Sequence, residues 1–151
     1  MKTAEAGFRF PVLGFTPDLE IWGFQDLDRL TKCGPRTLRN NMQAGMELID
    51  ADGRRWIVRS VRKSGRTGSL LSLLLTAVPQ SRIEHELEPL PAVTLDDVRR
   101  RASAAMEAYA ENYVEGDEGK AEFEQLLIDV RRASKIAEIY DLLQPDTFES
   151  Y

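Results

Sequence analysis

Met46-Glu47-Leu48-Ile49-Asp50-Ala51-Asp52-Gly53-Arg54-Arg55-Trp56-Ile57-Val58-Arg59 is the stretch on which the fold turns. Two runs of β-forming residues flank Asp52-Gly53, a strong short-range signal for a β-hairpin. The register follows from packing. A two-residue loop sets Glu47 opposite Val58 and Ile49 opposite Trp56. A three-residue loop, Ala51-Asp52-Gly53 with glycine in the left-handed position, sets Leu48 opposite Trp56 and Met46 opposite Val58. The second arrangement gathers Met46, Leu48, Trp56 and Val58 on one face and pairs Asp50 with Arg54, so it is the register the sequence predicts.

Upstream of this hairpin, Phe8 to Leu13 reads as a strand, and Pro11, which has no backbone donor, places it at a sheet edge. Thr16-Pro17-Asp18 turns the chain into Leu19-Glu20-Ile21-Trp22-Gly23-Phe24, making a second hairpin. Asp26 caps a short helix carrying Leu27 and Leu30, which Gly34-Pro35 ends, and a further helical turn fits Thr37-Leu38-Arg39. Downstream, Gly65-Arg66-Thr67-Gly68-Ser69 reads as a linker. Leu70 to Val78 is the most apolar run, with Ser72 and Thr76 inside it; periodicity fits strand or helix, and its length and the Pro79 stop favour a strand. Arg82 to Glu88 alternates, with Ile83, His85 and Leu87 inward and Glu84, Glu86 and Glu88 outward.

After Pro91 the apolar period becomes helical. Thr94 and Asp97 have the spacing of a capping box, and Leu95, Val98, Ala102, Ala105, Tyr109 and Tyr113 form a stripe. Glu115 to Gly119 breaks this helix, and a second one, roughly 35–40 Å long at 1.5 Å per residue, runs to about Leu143 with Phe123, Leu127, Val130 and Ala137 on its core face. The expected fold is therefore α+β. One domain over residues 1–151 packs an N-terminal antiparallel sheet of about five to six strands (1–90) on a C-terminal antiparallel helix pair (94–143), followed by a tail from 144.

Composition agrees with one globular domain: 151 residues, 42% hydrophobic and 30% charged, with a net charge of -5. A lone cysteine, Cys33, excludes an intramolecular disulfide and fits a reducing cytoplasm. The most apolar run is far shorter than the roughly 20 residues a bilayer-crossing helix needs, and the first residues lack the apolar core of an export signal. The expected location is cytoplasmic, away from the membrane. Charge is polarised: residues 1–82 carry 13 Lys/Arg against 8 Asp/Glu, and residues 83–151 carry 7 against 17.

Few constellations here carry bond-making chemistry. There is one histidine, no nucleophile elbow, no Walker loop and no dinucleotide glycine fingerprint. His85 and Cys33 fit a core imidazole and a small buried thiol better than a catalytic pair. Glu84, Glu86 and Glu88, about 7 Å apart along one strand face, read as a solvated acidic surface. No catalytic residue, metal ligand or cofactor is expected. Two charged surfaces remain. Arg54, Arg55, Arg59, Arg62, Lys63 and Arg66 make a basic hairpin able to follow phosphates, with Ile57 and Val61 sharing the face of Arg55, Arg59 and Lys63. Glu107, Glu111, Glu115, Glu118, Glu122 and Glu124 make an acidic helical face suited to a basic partner.

Thr31 to Arg39 resembles, over about ten residues, the opening of the recognition helix in MerR-type regulators, but Gly34-Pro35 leaves too little first helix for a helix-turn-helix. A broader likeness runs through Phe10-Pro11-Val12-Leu13, Asp18 and Ile21 before Gly23, Leu27 to Cys33, and Leu48-Ile49-Asp50 with Gly53, Arg55-Trp56 and Val58. Over roughly residues 8–63 the chain resembles small bacterial proteins of the toxin-immunity type. That resemblance implies a cytoplasmic, non-enzymatic inhibitor that binds a protein partner such as a basic toxin domain, with no catalytic residues to transfer. The alternative expectation is a nucleic-acid-binding module using the basic hairpin.

Overall fold

The computed structural model describes residues 1–66, 80–114 and 116–148. Its centre is a six-stranded antiparallel sheet with strand order β2-β1-β4-β5-β6-β3. The strands are β1 (Val12–Phe15), β2 (Ile21–Phe24), β3 (Lys32–Cys33), β4 (Glu47–Ile49), β5 (Arg55–Arg66) and β6 (Ser81–Leu90). Helices α1 (Leu27–Leu30) and α2 (Pro35–Arg39) interrupt the strand-rich half. Helices α3 (Leu95–Ala108), α4 (Gly116–Arg131) and α5 (Ile136–Leu143) follow it. The α+β class stands as expected.

The central hairpin adopts the three-residue register. Leu48 pairs with Trp56 and Glu47 with Ile57, and Val58 N–H donates to the Met46 carbonyl at 2.9 Å. Gly53 sits at φ +81, and a Cβ there would lie 2.5 Å from the Val93 carbonyl oxygen, so only glycine fits this turn. The Asp50 side chain is fully buried, accepting backbone N–H bonds from Arg9, Asp52 and Arg54 and the Arg54 guanidinium. That guanidinium also lies 5.4 Å from the Trp56 ring and donates to the Gly7 carbonyl. The turn therefore also fastens the N-terminal segment.

This fastening accounts for the first correction. Phe8 to Pro11 is not a strand, because Arg9 spends its backbone on the 50–54 turn, donating to Asp50 and accepting from Ala51 N–H. The strand begins at Val12 and lies inside the sheet, between β2 and β4. Pro11 precedes it, so the ladder loses no donor.

Each face of the sheet has its own core. One core gathers Val12, Phe24, Leu48, Trp56, Val58, Ile83 and Leu87 under the N-terminal segment, Leu30 and Cys33. The other gathers Leu13, Phe15 and Ile49 under Val98, Ala102, Met106, Val130, Ala133, Ile136 and Ile139 of the C-terminal helices. Asp26 caps α1 and Thr94 caps α3 with the expected capping box. Two helical expectations change. The second long helix is two helices: Ala133 is fully buried between α4 and α5, and its carbonyl accepts a 2.9 Å bond from Arg99 Nε of α3. The chain from Gly116 to Gly119 belongs to α4 rather than to a break.

The segment after α5 is a strap. Gln144 turns it at φ 43, the Asp146 carbonyl accepts from Gly23 N–H, and the Phe148 carbonyl accepts from Gly34 N–H. Phe148 is fully buried and stacks on Trp22 with ring centroids 3.8 Å apart. It joins the core on the sheet face opposite the helices. The expected strand at Leu70–Val78 lies outside the described residues. Among the described residues no helix is long and apolar enough to cross a membrane.

Candidate functional site

On the outward face of β5 and β6 the basic hairpin meets the acidic strand. Arg59 pairs with Glu88 at 2.5 Å, and Arg62 pairs with Glu84. Lys2 adds a second cation to Glu84 at 3.6 Å, and the Met1 ammonium bonds Glu86 at 2.7 Å. The Arg62 guanidinium beside Glu84 is the main reason its carboxyl titrates below the usual range. Arg55 contacts Glu47 at 3.3 Å, where Arg101 of α3 joins it at 2.6 Å.

The sequence expectation placed Val61 and Lys63 on the outward face with Arg55 and Arg59. A register shift between Val58 and Ser60 overturns this. The extra residue, Arg59, inverts the alternation beyond it, so Val61 packs toward the core that contains Val58 while Arg62 faces outward with Glu84. Lys63 is exposed and has no ion-pair partner among the described residues. Arg66 closes β5 opposite Ser81.

His85 is buried and fully engaged. Its ring nitrogens contact Thr3 Oγ1 at 3.0 Å and Gln43 Oε1, and Thr3 Oγ1 also accepts from the His85 backbone N–H at 2.9 Å. With Gln43 Oε1 as acceptor, Nε2 carries the proton and Nδ1 accepts from the threonine hydroxyl. Burial lowers its pKa to about 4, so the ring is neutral near pH 7. Cys33 is buried as well, and burial pushes its thiol up to about 11, which leaves it an unreactive core group.

The acidic residues of the helical half have a different fate. Glu107 reaches across to Arg131 of α4 at 2.6 Å and helps join the two helices. Glu111, Glu118, Glu122 and Glu124 are exposed and form no ion pair among the described residues. Glu115 lies outside the described residues. Helix α4 carries five carboxylates against two cations.

Next to this face, the β1–β2 turn, the end of α3 and the start of the strap enclose a cleft of about 340 Å³. Its walls include Glu20, Trp22, Tyr109, Tyr113, Leu143 and Asp146, and among the described residues no Lys, Arg or His lines it. Glu20 accepts a 3.2 Å bond from Trp22 Nε1, and the Tyr109 hydroxyl donates to the Asp18 carbonyl at 2.6 Å. Burial, with the carboxylates of Glu20, Asp18 and Glu111, raises the Tyr109 pKa; burial and Asp146 do the same for Tyr113. Both phenols therefore sense a negative field.

The sequence reading missed this cleft. It placed Tyr109 and Tyr113 in a helical core stripe and assigned no role to Glu20 or Asp146. Three segments distant in sequence build the site, so no local pattern announces it. Comparison with protein-family models, curated proteins and solved structures returns no match to the chain.

Proposed function

We propose that this chain is a non-enzymatic binding protein that holds a basic protein partner on its acidic helical face, in the manner of an immunity-type inhibitor. One observation carries the reading: Arg55, Arg59 and Arg62 of β5 are paired within the fold, whereas Glu111, Glu118, Glu122 and Glu124 form no ion pair among the described residues. Unpaired exposed carboxylates project a field that steers and selects a positively charged partner. The neutral, occupied His85 and the protonated Cys33 fit a scaffold for recognition better than a reactive centre.

Nucleic-acid binding along residues 54–66 is the weaker reading, because Arg55, Arg59 and Arg62 would first have to leave their carboxylates. The test is co-expression with the product of the neighbouring gene, scored by co-purification and by growth. Recovery of a complex together with protection from that product's toxicity supports the reading. Absence of both overturns it.

A further inference from the structure

The cleft between the β1–β2 turn, α3 and the strap combines three features. It is concave and about 340 Å³, near the lower end of small-ligand sites. Its lining includes two acidic residues, Glu20 and Asp146, with no compensating cation among the described residues that line it. Its other walls include the tyrosines Tyr109 and Tyr113. Aromatic faces attract cations through their quadrupole, and a desolvated setting strengthens the attraction.

The backbone holds this arrangement firmly. Leu19, on the rim, sits at φ 67, and Thr16 N–H bonds the Glu20 carbonyl at 3.0 Å, fixing the turn that presents Glu20. Asp146 is fixed by its own carbonyl, which accepts the Gly23 N–H at 3.0 Å.

We infer that the cleft receives an alkyl guanidinium or ammonium group, the end of an arginine or lysine side chain from a basic partner, with Glu20 and Asp146 as counter-charges and the aromatic walls enclosing the stem. The inference rests on the proposed partner-binding role and supplies that face with an anchoring pocket. A free amino acid fits less well than a side chain on a polypeptide, because its α-carboxylate would meet the same acids.

Backbone amide shifts followed during titration test it. Butylguanidine should shift Glu20, Ile21, Tyr113 and Asp146 saturably, in the millimolar range expected of a single side chain. The uncharged isostere butylurea should not. The double variant Glu20→Gln/Asp146→Asn should weaken butylguanidine at least about tenfold, the loss of roughly 1.4 kcal/mol of binding, while Asp96→Asn, in the first turn of α3 and outside the cleft lining, leaves it unchanged. An arginine peptide with both ends capped should bind more tightly than free arginine. Equal response to butylurea, shifts centred elsewhere, an unaffected double variant, or tighter binding of free arginine would each overturn the inference. A chain that protects against the neighbouring toxin yet ignores butylguanidine sinks this inference alone. A chain that binds butylguanidine in the cleft without protecting keeps the pocket and removes the immunity reading.

Discussion

On the outward face of β5 and β6, Arg59 and Arg62 meet Glu88 and Glu84, and the acids of β6 are met in turn by cations. On α4, Glu118, Glu122 and Glu124 meet none among the described residues. The two surfaces look like equivalent binding candidates when charges are counted along the chain. Folding separates them, because antiparallel pairing sets the basic strand directly against the acidic one. Among the described residues, the exposed carboxylates that folding leaves without an ion pair include Glu111, Glu118, Glu122 and Glu124 of the helical half, and it is on these that the proposed binding rests.

If that contrast holds, charges spent inside the fold should cost stability when removed, and unspent ones should not. The largest effect belongs to Asp50→Ala, which strips a buried carboxylate from three backbone donors and Arg54. It should lower unfolding free energy by about 3 kcal/mol, read as a fall in urea midpoint at constant slope.

Acid should produce an effect of similar size through His85. Its folded pKa of about 4 lies below the ordinary 6.5, so the neutral ring contributes stability that is complete above pH 6.5. That contribution fades as the pH falls toward 4 and amounts to about 3 kcal/mol. A His85→Gln variant should lack this component of the pH profile, though it starts from a lower stability.

Glu47→Ala, which frees Arg55 and Arg101 at the joint between sheet and α3, should cost about 1–2 kcal/mol. Arg59→Ala, which removes a surface pair, should cost less than about 1 kcal/mol. At the far end, Glu122→Gln relieves repulsion from Glu118 one helical turn away and should raise the melting temperature slightly, by about 0.3 kcal/mol of stability. A marked loss there would mean that the helical acids serve the fold and would erase the contrast.

The legible parts of the fold were those written in short spacings. Asp52-Gly53 and the apolar residues around it gave the register of β4 and β5, because a one-residue slip would turn Trp56 outward. Thr94 and Asp97 gave the start of α3. The misread parts depended on distant contacts. Nothing local in Ala133-Ser134-Lys135 announces that Arg99 takes the Ala133 carbonyl and separates α4 from α5. The shift at Arg59 was hidden because Arg55, Ile57, Arg59, Val61 and Lys63 read as one uninterrupted alternation. Phe148 looked like part of a tail, yet its ring completes the core over Trp22. The acidic helical residues were legible as a group, but their availability was not, since only the tertiary structure shows Glu107 engaged by Arg131.

The central claim is most directly tested by titrating a labelled lysine-rich peptide and a labelled DNA duplex against the intact protein over a range of salt concentrations. The account predicts salt-sensitive binding of the peptide, weakened at least about tenfold by Glu118→Gln/Glu122→Gln/Glu124→Gln and unchanged by Arg59→Gln/Lys63→Gln. Preferential, steeply salt-dependent binding of the duplex, lost in the Arg59→Gln/Lys63→Gln variant, would contradict it.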